Sequence, residues 1–198
     1  MARPRTTSDE AILGAAARAV GRHGPHGVTL AAIAQEAGLA PATLLQRFGS
    51  KRELLLALAA HAGQAVHVPF ERARQEHPSP LTALHAALAA LSAGAATPER
   101  FAGGLGLPHS DVTDPDFRAH AAAHALRMRE QIAALLGDAV AAGELAPGTG
   151  VAALARTVQI TYHGVLILWA LTGEDTLAAT LRHDLDQTLR PYRAGGGK

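Results

Sequence analysis

Apolar residues recur at three- and four-residue intervals along most of the chain, which is the period of helices with one buried face. The first such stretch sets Ile12, Ala16, Ala19 and Val20 on one side. Thr7 and Glu10 are spaced as a capping box before it, and Gly21 to Gly27, with Pro25, end it. A short second stretch carries Leu30, Ile33 and Ala34 and stops at Gly38, a residue suited to a left-handed helix end. Pro41 sits where a third helix begins, and its missing N–H costs nothing there. This helix runs only to about Arg47, with Leu44 and Phe48 turned back toward the second. Ser50 and Glu53 make another capping box, opening a helix from Lys51 to about Glu76. A break is expected in it near Val66 to Val68, because Pro69 removes a backbone donor.

Further on, Ser79 and Pro80 start a helix striped by Leu81, Leu84, Leu88 and Leu91. Thr97-Pro98 opens a short helix that includes Phe101, and a glycine-rich loop follows over roughly 103–114. Asp114-Pro115 begins a long helix to Gly143, lined on one face by Phe117, Ala121, His124, Met128, Ile132, Leu135 and Ala139. Thr149 is the expected cap of a helix reaching Leu171. The last helix starts near Asp175 and stops before Pro191, with Leu177, Leu181, Leu185 and Leu189 along one side. No stretch alternates with the two-residue period of a strand. The expected class is all-α with about nine helices: an N-terminal three-helix unit at 1–50 and a helical body at 51–198.

The stretch from Thr29 to Lys51 carries the chemistry. Two short helices around a tight turn form a helix-turn-helix. A second helix this short cannot stand alone, so neighbours must clamp it. Its outward face offers methyl, amide and guanidinium groups, the types that read base edges in the DNA major groove. The candidate DNA-contacting residues are Thr29, Pro41, Ala42, Thr43, Leu45, Gln46, Arg47 and Lys51. Lys51 and Arg52 stand in the first turn of a helix, where the dipole disfavours cations, and a phosphate over that helix end would explain them.

The segment LAPATLLQRFGSKREL resembles the DNA-binding signature of TetR-family transcriptional regulators, over roughly residues 8–62. In that family the helix-turn-helix runs into the next helix through an aromatic, a small residue and a lysine, here Phe48, Ser50 and Lys51. Three positions depart from the pattern. Ala40 stands where serine or threonine usually opens the recognition helix, Leu45 where a tyrosine is usual, and Arg47 where histidine or tyrosine is usual. Arg47 is therefore expected to take over a backbone contact that the tyrosine makes elsewhere.

Charge agrees with this placement. The net charge is only +1, but residues 1–53 hold seven bases against four acids, while the remainder holds eleven against thirteen. The basic start, MARPRT, can reach the minor groove or phosphates. Cysteine is absent, so no disulfide or thiolate site exists. Met1 to Asp9 is polar, with no apolar signal segment, which places the expected location in the cytoplasm.

The helix over 149–171 is apolar nearly all round, so it needs neighbours on every side. One side is expected inside the chain and the other in a homodimer, with Leu181, Leu185 and Leu189 of the last helix in the interface. Arg156, Gln159 and His163 argue against a membrane span. The resemblance implies the same dimer and an inducer pocket in the body. Its candidate lining is Phe101, Phe117, His124, Met128, Tyr162, His163 and Trp169, which suits a small, largely apolar ligand. His120 and His124 are four apart, but no cysteine or HExxH accompanies them, so no metal and no cofactor are expected. No catalytic motif appears. Two readings follow. One is a DNA-binding repressor released from double-stranded operator DNA by a small-molecule inducer. The other is a helical small-molecule-binding or enzymatic bundle whose helix-turn-helix is not used on DNA.

Overall fold

A computed structural model describes residues 7–93, 97 and 113–195. The basic N-terminal arm, Phe101 and the loop over 103–112 lie outside the described residues. Within them the fold is all-α, with nine helices: α1 (Asp9–Gly27), α2 (Leu30–Ala37), α3 (Pro41–Phe48), α4 (Lys51–Ala65), α5 (Val68–Glu76), α6 (Pro80–Ser92), α7 (Pro115–Ala141), α8 (Val151–Thr172) and α9 (Leu177–Leu189). A 3-10 turn, Arg190–Tyr192, follows α9. Among the described residues no strand forms, and an isolated antiparallel bridge pairs Leu145 with Arg193.

The chain divides by its contacts into two compact units. The first is residues 7–63 with 113–122, and the second is 64–93 with 123–195, taking the described parts of each. The divisions fall inside α4 and α7, so the first unit runs past the boundary expected at residue 50.

The first unit is built on one core. Ile12, Ala16, Ala19 and Val20 of α1 meet Ile33 and Ala34 of α2, Leu44 of α3, Leu54 and Leu55 of α4, and Phe117. Two local details differ from expectation. Ser8, one residue later than Thr7, caps α1, its hydroxyl accepting from Ala11 N at 3.2 Å. Helix α1 also passes Gly21 and breaks at Gly24, whose φ of 68° and ψ of 164° no helix accepts. Only then does Pro25 begin a last turn.

In the second unit, α5 packs on α6, and α9 packs on α8 and α6. The break before Pro69 falls at Val66 and His67, separating α4 from α5. Ser79 caps α6 by accepting from Thr82 N at 3.2 Å. Thr149 does not cap α8. Its hydroxyl donates to Ala146 O at 2.7 Å, and Gly150 takes the cap position without a side-chain bond. Gln159 is the buried polar link between α7 and α8. Its amide donates to Ala125 O and its oxygen accepts from Arg129 Nε, both at 2.8 Å. Helix α8 is long and apolar enough by composition to cross a membrane. Here its inner face, Leu154, Val158, Tyr162, Val165, Leu166 and Trp169, is core.

The interface expected at Leu181, Leu185 and Leu189 is corrected by this packing. All three are buried within the single chain. They form the inner stripe of α9 and have no surface to offer a partner. The period of the leucines was right, but a buried stripe alone does not say which body it is buried in.

Candidate nucleic-acid interface

Thr29 caps α2, its hydroxyl accepting from Ala32 N at 3.1 Å. The helix closes at Gly38, with φ 66°, and Leu39 N returns to Ala34 O at 2.9 Å. This left-handed end is what a residue with a Cβ resists, so the glycine fixes the turn. Ala40 then opens α3 without a side-chain cap, and Pro41 occupies its first turn. Leu44 is buried completely and is the residue that ties α3 to the core. Around it Pro41, Ala42, Leu45, Gln46 and Arg47 are exposed and Thr43 is half-buried. Helix α3 therefore presents a small, mixed apolar and amide face to solvent on a rigid mount.

Two candidate cations are engaged within the chain. Arg47 pairs with Asp9 Oδ1 at 2.6 Å and donates to Thr7 O, so it fastens the end of α3 to the start of α1. Lys51 Nζ donates to His26 O at 3.2 Å. Ser50 caps α4, accepting from Glu53 N at 3.1 Å.

Arg52 has a role the sequence reading missed. It bridges Asp114 at 2.9 Å and Asp116 at 2.7 Å, and its guanidinium lies 5.8 Å from the centre of the Phe117 ring. The cation at the start of α4 is thus answered by two carboxylates at the start of α7. The partners are more than sixty residues away in sequence, so no local spacing reveals them. Phe117, expected in the ligand lining, is buried in the first unit's own core instead.

Electrostatics in this unit are set by two carboxylates. Hydrogen bonds from Arg18, then Arg22, hold Glu36 below the usual carboxylate range. A hydrogen bond from Arg52, helped by the Asp116 and Phe117 amides, does the same for Asp114. Carboxylates depressed in the folded state contribute stability above their unfolded pKa of about 4, and that contribution is lost as pH falls through the lower folded value. The urea midpoint of the first unit should therefore fall below about pH 4. Glu36→Gln should flatten part of that fall. A midpoint with the same slope in both proteins between pH 6 and pH 2 would show that Glu36 contributes nothing.

Of the remaining ligand candidates, Met128, Tyr162 and Trp169 are buried in the second unit and His124 is half-buried there. Burial alone raises the Tyr162 hydroxyl well above its ordinary range. His163 is exposed and stands edge-on to the Tyr162 ring, 5.2 Å between centres. The Trp169 indole donates to Asp175 O at 3.3 Å, so its polar end serves the turn before α9.

Two family models match the chain. Residues 12–58 match the bacterial regulatory proteins of the tetR family, and residues 80–185 match the tetracyclin repressor-like C-terminal domain. The chain belongs to the TetR family. It is a transcriptional regulator with an N-terminal helix-turn-helix and a C-terminal helical domain.

Solved structures agree on the fold of this TetR-family chain. A TetR regulator from Haloarcula marismortui is 16% identical with a TM-score of 0.76, covering 93% of this chain and 97% of its own. SmeT, the repressor of the Stenotrophomonas maltophilia efflux pump SmeDEF, is 22% identical with a TM-score of 0.64, covering 96% and 92%. FadR from Bacillus subtilis, in complex with stearoyl-CoA, is 18% identical with a TM-score of 0.64, covering 96% and 100%. No curated protein matches the chain significantly.

Proposed function

We propose that this TetR-family protein is a cytoplasmic homodimeric repressor, without enzymatic activity. It grips double-stranded operator DNA with α3 and leaves it on binding a small, largely apolar ligand in the second unit. The observation that carries the DNA reading is the exposed face of α3 around the buried Leu44. Pro41 and Ala42 let the backbone come close to the groove, Leu45 and Thr43 offer methyls to thymine, and Gln46 offers an amide matched to adenine. Thr29 and Lys51 stand at the ends of the motif, where phosphates run. Arg47 contributes by exchanging Asp9 for a phosphate or guanine.

The dimer contact is moved to the outer face of α8. Ile160, Ile167, Leu168 and Leu171 are 58%, 43%, 62% and 74% exposed in the single chain. Their spacing puts them on one stripe, with Gly164 between them. A Cβ at Gly164 would meet nothing within 4 Å of its own chain. Mid-helix glycine costs about 1 kcal/mol against alanine. A second α8 crossing there supplies the reason for it.

The direct test is fluorescence anisotropy with DNA flanking the protein's own gene, at two salt concentrations. Tight, salt-sensitive binding supports the repressor. Absence of binding to any flanking fragment favours the ligand-binding bundle. A thermal-shift screen then seeks the inducer, since a bound ligand stabilises the fold by mass action.

Substitutions separate base contacts from phosphate contacts. Gln46→Ala should cost about 1–3 kcal/mol and relax preference at one position of each half-site. Unchanged preference in a binding-site selection removes Gln46 from the reading face. Lys51→Ala should weaken all sequences alike and reduce the slope of affinity against salt by about one unit. An unaltered slope would leave Lys51 a purely internal bond to His26.

A further inference from the structure

Helix α3 carries a single charged side chain, Arg47, and in the free chain that charge is already answered. Arg47 Nη2 pairs with Asp9 Oδ1 at 2.6 Å, while Nη1 donates to Thr7 O. The two bonds differ in kind. Thr7 O is a neutral backbone acceptor, whereas the Asp9 carboxylate is an anion on a side chain that is 64% exposed. An exposed ion pair is weak, because water screens both partners. It is also the bond that DNA can replace, since a phosphate offers a guanidinium the same kind of charged acceptor.

Asp9 has a local reason to stand where it does. It lies in the first turn of α1 beside Glu10, where the helix dipole favours an acid. That reason is met by Glu10 alone. It does not account for a carboxylate held on the one guanidinium of α3, where it opposes binding to a polyanion. Lys51 makes the contrast, because its partner His26 O is neutral and releases it without leaving an anion behind.

Given that α3 binds DNA as proposed above, we propose that Asp9 sets the protein's affinity by standing in for a DNA phosphate on Arg47. On binding, Nη1 keeps Thr7 O, so the end of α3 stays fastened, and Nη2 passes from Asp9 to a phosphate oxygen. The freed carboxylate is then left beside the phosphate backbone. Each half-site engaged breaks one ion pair and sets one acid against DNA, whatever the base sequence. Asp9 therefore holds back sequence-independent binding, and base contacts such as that of Gln46 supply the margin that retains the operator.

The test is fluorescence anisotropy of the full-length protein over a range of salt concentrations. Two duplexes of equal length are compared, one from DNA flanking the protein's own gene and one of random sequence. Asp9→Asn should tighten both by at least about threefold near 0.1 M salt, and steepen the slope of affinity against salt by about one unit per half-site. Asp9→Glu keeps the charge and should bind like the unchanged protein. In an Arg47→Gln background the gain from Asp9→Asn should shrink, because the carboxylate is already free there. Asp9 is exposed and Ser8 still caps α1, so the fold survives, which circular dichroism checks. Equal or weaker binding by Asp9→Asn overturns the proposal and makes Asp9 a strut for α3, with the DNA reading left standing. The same gain with and without Arg47, or equal tightening by Asp9→Glu, overturns it as well. If the unchanged protein binds neither duplex, the DNA reading itself falls and this role of Asp9 falls with it.

Discussion

Leu168→Glu is expected to turn the protein into monomers and to remove most of its operator affinity. Leu168 is 62% exposed in the single chain, so a glutamate there is solvated in the monomer and leaves the fold intact. In a two-fold dimer through α8 the same position occurs twice, and both carboxylates enter an apolar contact. The effective cost of burying an unpaired charge is several kcal/mol each, so the dimer should weaken by roughly 5 kcal/mol or more. At about 1.4 kcal/mol per decade that exceeds a thousandfold. A monomer engages one half-site only. It loses the gain from linking two recognition helices, which is on the order of 10²–10⁴. Light scattering at micromolar protein and anisotropy on the operator read the two effects together. Dimers that persist with unchanged operator affinity would place the interface elsewhere. Leu185→Glu is a different experiment. Leu185 is core, so that protein should fail to fold rather than dissociate.

Much of this was legible along the chain, and the failures have a common cause. Helical period and end signals placed α2, α3, α6 and α7 because those signals are local: Gly38 closes α2, Pro41 opens α3 and Ser79 caps α6. The break before α5 followed from Pro69 in the same way. The exposed face of α3 was legible because one buried residue, Leu44, fixes the orientation of eight. What local signals do not carry is the destination of a side chain across the fold. Arg52 stands in the sequence only as a cation in a first turn where the dipole disfavours one, and its partners Asp114 and Asp116 lie more than sixty residues away. The leucines of α9 looked like an interface because the period that buries them inside is the same as the period that would bury them between chains. The true surplus of apolar surface was on α8. There the sequence showed an excess on every side, and only the packing showed which side was left over.

Leu44→Ala should destabilise the DNA-binding unit by about 2–5 kcal/mol, the range for a buried leucine reduced to alanine. Leu44 is fully buried, and it is the one fully buried side chain in α3. An eight-residue helix has almost no stability of its own, so α3 exists because of tertiary anchoring. The site also has little room to relax. Gly38 and Gly49 hold the chain at φ 66° and 81° on either side of α3, and Arg47 fastens its end to Asp9. A helix fixed at both ends cannot sink into the vacated volume, which argues for the upper half of the range. Domains of this kind hold only about 5–15 kcal/mol in all, so α3 would open in a measurable fraction of molecules. Amide exchange in α2 and α3 reads that opening directly. Leu45→Ala, one residue along and 45% exposed, is the control and should change exchange by less than about 0.5 kcal/mol, as surface substitutions do. If the two substitutions accelerate exchange equally, then Leu44 is not the residue that holds the recognition helix in place.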